Sequence, residues 1–121
     1  MRSRPFMEYV TMALSELPEE FSRRLENLVI TVEPYPSRED LESVGLKDRR
    51  SLLGLFRGLP FSHVSSFYAG PIMPSEIVLY QQNIERVSRG ERELVEQIRA
   101  TLLHEIGHYF GMTEEELAEY T

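Results

Sequence analysis

From Glu91 to Phe110, apolar side chains fall at Leu94, Val95, Ile98, Leu102, Ile106, Tyr109 and Phe110. This spacing of three and four residues gathers them into one stripe on one face of an α-helix. A helix of that span is about 30 Å long, the diameter of a small domain. In a chain of 121 residues there is room for one modest core, so the other elements are expected to lie against this stripe. Gly111 follows directly and suits the C-terminal cap, because glycine readily takes the left-handed backbone that closes many helices.

The same helix carries His104-Glu105-Ile106-Gly107-His108, which uses two of the chain's three histidines. Four residues at about 100° each bring the second imidazole to within about 40° of the first, one turn on. Both rings can then reach one metal ion, and zinc accepts neutral imidazole nitrogen at about 2.0–2.1 Å. Glu105 is rotated by about 100° from His104, which swings its carboxylate beside such an ion, where a general base belongs. On a helical wheel His104 lies well away from the apolar stripe and His108 at its edge, so neither reads as a core-filling side chain.

A catalytic zinc takes three protein ligands and keeps one position open for water. The chain has no Cys, which removes thiolate ligands together with disulfide scaffolds and cysteine nucleophiles. His63 is a ligand by type but stands alone in a Ser-rich segment. Glu114 is better placed, because a turn at Gly111 would bring a residue three positions later back toward the metal. Glu115 and Glu119 compete with it. Thr113 and Glu116 also have the form of a capping box for a short last helix carrying Leu117 and Ala118, which leaves Glu114 free to ligate.

The rest of the chain reads more coarsely. Pro5 opens a helix over about residues 5 to 16 with Phe6, Val10, Leu14 and Leu17 on one side, and Pro18 opens a second carrying Phe21, Leu25 and Leu28. Val29 to Val32 and Ile77 to Tyr80 are β-branched, apolar runs and read as strands. Leu52 to Phe56 has strand content, with Gly54 marking a bulge or a close approach by another backbone. A helical turn is expected near Arg38 to Ser43 and a short strand within His63 to Tyr68. The fold class is α+β: a small mixed sheet of three or four strands on the long helix, with N-terminal helices and a short C-terminal helix.

Thirteen basic against twenty acidic residues give a formal charge of −7, the wrong sign for gripping a nucleic-acid backbone. Met1 to Tyr9 lacks the apolar core of a secretory signal, and no apolar run is long enough to span a bilayer. A soluble cytoplasmic protein is expected, with no nucleic-acid or membrane partner; nothing in the sequence addresses its oligomeric state.

His104 to Glu114 reads H-E-x-x-H-x-x-G-x-x-E, which resembles the extended motif of metzincin-like metallopeptidases with Glu in place of the usual third His. The chain is more similar to the minimal zincins, small bacterial proteins grouped with zinc metallopeptidases. The likeness extends to Leu53-Gly54-Leu55-Phe56-Arg57-Gly58-Leu59-Pro60 and to the approach from Pro74 into the strand ending at Tyr80. This resemblance implies a single zincin-like domain over residues 1–121, one zinc ion on His104, His108 and Glu114, and Glu105 as catalytic base. It further implies hydrolysis of a peptide or protein substrate laid beside an edge strand, for which Ile77 to Tyr80 is the candidate, with Tyr68, Tyr80 or Tyr109 as candidate donors to the oxyanion. The Met-turn of true metzincins has no counterpart, since Met112 falls inside the motif. A zinc-binding domain with a structural or regulatory role is the alternative function.

Overall fold

A computed structural model of the chain describes residues 4–23, 25, 28–58 and 75–120. Its elements are α1 (Phe6–Ser15), α2 (Glu19–Ser22), β1 (Leu28–Glu33), α3 (Arg38–Ser43), β2 (Gly54–Arg57), β3 (Ser75–Tyr80), α4 (Gln81–Arg86), α5 (Glu91–Tyr109) and α6 (Glu114–Ala118). The α+β class follows: helices packed on a three-stranded mixed sheet in the order β1-β3-β2. Among the described residues no helix is long and apolar enough to cross a membrane. The short strand expected within His63 to Tyr68 lies outside the described residues, as do His63 and Tyr68 themselves.

The long helix organises the core as its stripe requires. Leu94, Val95, Ile98, Leu102, Leu103 and Ile106 of α5 pack with Phe6, Val10 and Ala13 of α1 and with Ile77 and Leu79 of β3. Side chains alternate across a strand, so Val78 and Tyr80 turn to the opposite sheet face, where they meet Leu55. That second face also carries an ionic network. Arg57 reaches Asp40 at 2.6 Å, Glu76 at 3.0 Å and Glu33 at 3.2 Å, and the Tyr80 hydroxyl donates to the same Asp40 oxygen at 2.8 Å.

Two expectations are corrected. The strand ending at Tyr80 is central, paired in parallel with β1 and antiparallel with β2, so it is no edge for a substrate. Its uninterrupted burial from Ile77 to Tyr80 is what a strand covered on both faces requires. The helix opened by Pro18 lasts only Glu19 to Ser22, and Leu28 begins β1 instead, because pairing with Ser75 and its neighbours outweighs a helical spacing of apolar residues. The polar stretch after Tyr80, on which the sequence patterning is silent, forms α4, where buried Asn83 donates to the carbonyls of Arg49 (2.6 Å) and Leu52 (2.7 Å) and so ties down the segment that enters β2.

Candidate metal centre

The site is built where α5 ends. Phe110 closes the helix, Gly111 takes φ +71°, and the N–H groups of Gly111 and Met112 donate to the carbonyls of His108 (3.1 Å) and Gly107 (2.9 Å). This is a Schellman turn, and it depends on a residue that tolerates the left-handed region. The chain then re-enters a helix through a full capping box: Thr113 Oγ1 accepts from the Glu116 N–H and Glu116 Oε1 from the Thr113 N–H, each at 3.1 Å. Leu117, 3% exposed, docks α6 back onto α5 against Gly107. A Cβ at position 107 would stand 2.9 Å from Leu117 Cδ1 and 3.0 Å from its Cγ. The glycine inside the histidine motif therefore sets how closely α6 approaches.

The result of that docking is the position of Glu114. Its Oε1 lies 3.4 Å from His104 Nε2 and 3.6 Å from His108 Nε2, and the two imidazole centroids are 4.3 Å apart. Ligand atoms placed tetrahedrally at about 2.0–2.1 Å from one ion are separated by about 3.3–3.4 Å. The two nitrogen–oxygen spacings fit ligand atoms around one zinc ion with little adjustment. Both imidazoles and Glu114 are substantially exposed, so the site opens to solvent. His104, Glu105 and His108 also form a potential metal-holding group, with one ligand atom from each all within 4.8 Å.

Glu105 differs from Glu114 in its surroundings. It is 9% exposed, its Oε1 accepts the backbone N–H of Phe56 at 3.0 Å, and the same oxygen stands 3.9 Å from His108 Nδ1. Burial pushes the Glu105 carboxyl above the usual carboxylate range, while His108, His104 and the Phe56 amide, each favouring the ionised form, pull it back in part. The histidine pair thus has an exposed carboxylate on its Nε2 side and a buried, proton-attracting one alongside.

A cavity of about 610 Å³ adjoins these groups, between β2 and α5. Val44, Leu52 and Leu53 wall it beyond the strand, and Gln97, Ala100 and Thr101 continue the helix face that carries His104, Glu105 and His108. Among the described residues β2 has a sheet neighbour on one side, and its other side borders this cavity. Tyr80 is withdrawn as an oxyanion donor: fully buried, it is committed to Asp40 on the far sheet face. Tyr109 is 9% exposed and stacks on Phe56 and Phe110, a packing role. Sequence reasoning overlooked the Phe56 amide, which no residue letter encodes, and Gly107, whose meaning depends on Leu117; the glycine inside H-E-x-x-H was the available signal.

No curated protein matches the chain. A family model described as zincin-like metallopeptidase matches residues 25–121, a span that takes in β1 to β3, the cavity and the whole of His104 to Glu114. The chain therefore belongs to the zincin-like metallopeptidase family.

Proposed function

We propose that this chain is a zinc-dependent peptidase. His104 Nε2, His108 Nε2 and Glu114 Oε1 would hold the ion, which when bound supplies polarisation of a water molecule and so raises that water's acidity. Glu105 takes the proton from the attacking water and returns it to the nitrogen of the departing amine. An extended segment of a peptide or protein substrate lies in the cavity beside β2, against Val44, Leu52 and Leu53. Family membership supports the reaction class, and the spacing of the two histidines and Glu114 supports the ligand set.

The observation that carries the reading is the division between the two carboxylates. Glu114 is exposed and shares one oxygen with both imidazoles, as a ligand should. Glu105 is buried, tethered through one oxygen to a strand amide, and raised in proton affinity, as a base should be. One feature favours the second reading, a metal that only fastens the fold: Glu114 comes from α6, five residues long with Leu117 as its buried residue, so an ion shared with α5 would pin it. Glu105→Gln separates the two. We expect the variant to keep stoichiometric zinc and its melting temperature while hydrolysis of a mixed peptide library falls by about 100-fold or more. Equal inertness of wild type and variant across peptides and pH would leave the fastening role; absence of zinc from both would reject either role.

A further inference from the structure

The approach of β2 to α5 is set by a glycine. A Cβ on Gly54 would stand 2.5 Å from Thr101 Cγ2 and 3.1 Å from the Val78 carbonyl oxygen, so any side chain there has to push the strand off the helix. Two residues of strand cover about 6.7 Å and four residues of helix about 6.0 Å. The contact between Gly54 and Thr101 is therefore repeated one step on, between Phe56 and Glu105. At that second step the strand presents a backbone N–H to the helix, 3.0 Å from Glu105 Oε1, and the side chains of Phe56 and Tyr109 stack with centroids 5.0 Å apart.

We propose that the Phe56 amide is the positioning group for Glu105: it fixes the carboxylate through Oε1, the oxygen that also stands 3.9 Å from His108 Nδ1, with Gly54 opposite Thr101 holding the strand at the distance this needs. The inference rests on the peptidase reading for its consequence but on the strand-helix geometry for its existence. A carboxylate on a flexible Glu side chain is a poor base when it can rotate away from its water, and misplacement of about 1 Å is enough to cost about 100-fold in rate. An amide on a paired strand is a rigid anchor. It also leaves the histidine nitrogens and Glu114 untouched, so orientation of the base and capture of the ion are governed by separate contacts.

The test replaces the Phe56 N–H by an ester oxygen in the full-length chain, which deletes the donor and keeps every side chain. We expect kcat on peptides to fall about 10- to 100-fold with KM and zinc stoichiometry unchanged; unaltered kcat, or parallel losses of zinc and activity, overturns the proposal. Gly54→Ala should show the same split, and adding Thr101→Ser, which removes the methyl that the new Cβ meets, should restore most of kcat. Failure of the double variant to recover while the single variant folds counts against the role given to Gly54. A readout independent of turnover is the Phe56 amide proton, which should move upfield and exchange faster in Glu105→Ala. If wild type proves inert on peptides, the peptidase reading fails by itself, and this resonance alone decides the anchor: no change rejects it.

Discussion

Gly107→Ala adds one methyl group at the contact between α5 and α6. Leu117 Cγ and both its Cδ atoms lie within reach of the new carbon, so no rotation about the end of the leucine clears it and the side chain has to retreat as a whole. Two terms oppose each other in stability. Alanine in a helix interior is better than glycine by about 1 kcal/mol, whereas overpacking costs about 1–3 kcal/mol, so the net loss is about 0–2 kcal/mol and the fold survives. The metal site is affected more than the fold, because Leu117 is the buried residue of α6 and α6 starts at Glu114. Displacing a contact that orients a ligand lowers metal affinity by about 10- to 100-fold. The assay is zinc competition against a chromophoric chelator, run beside Glu114→Ala, which should weaken binding at least as much. Zinc affinity equal to wild type in Gly107→Ala, with Glu114→Ala impaired, would refute the argument that this glycine governs the ligand's position. Equal affinity in both variants would remove Glu114 from the ligand set.

Tyr80→Phe deletes a buried hydroxyl that donates to Asp40; stability in urea should drop by about 1–3 kcal/mol with kcat unchanged, whereas a large fall in kcat would restore Tyr80 to the chemistry. Burial raises the proton affinity of Asp40, but the hydrogen bonds from Arg57, Tyr80 and the Ser37 amide outweigh it, so the carboxyl titrates below its usual range. A group depressed in the folded state stabilises above its unfolded pKa of about 3.9. Wild type should therefore lose stability as pH falls from about 5 through the depressed value of Asp40, and Asp40→Asn should start less stable by about 1.5–3 kcal/mol and show a shallower decline in melts taken from pH 6 to 3. Parallel wild-type and variant curves would exclude Asp40 as the source.

What could be read from the letters was what depends on near neighbours. The helix of the histidine motif, the left-handed turn at Gly111 and the box of Thr113 and Glu116 each involve residues within one or two turns of each other, and each is present. The approach of Glu114 to the two histidines has the same local origin, three residues past the turn. Features that join distant parts of the chain were not. Whether the strand ending at Tyr80 is central or peripheral depends on partners at Leu28 to Glu33 and Gly54 to Arg57. Helix α4 has one buried apolar residue, Ile84, beside buried Asn83, too little periodicity to reveal six helical residues. Gly54 was correctly suspected of a close approach, but its neighbour is a threonine side chain as well as a backbone.

Phe56 and Arg57 are consecutive on a four-residue strand and serve opposite faces of the sheet. The first gives its amide to Glu105; the second is gripped by Asp40, Glu76 and Glu33. Protonating Asp40 slackens the hold on Arg57 and, one peptide bond away, the seat of the base. If the chain hydrolyses peptides as proposed, the acid limb of its pH–rate profile reports two events, protonation at the reacting centre and loosening of a clamp behind the sheet. Asp40→Asn pulls them apart, because it removes that carboxylate from the clamp while the reacting groups keep their own.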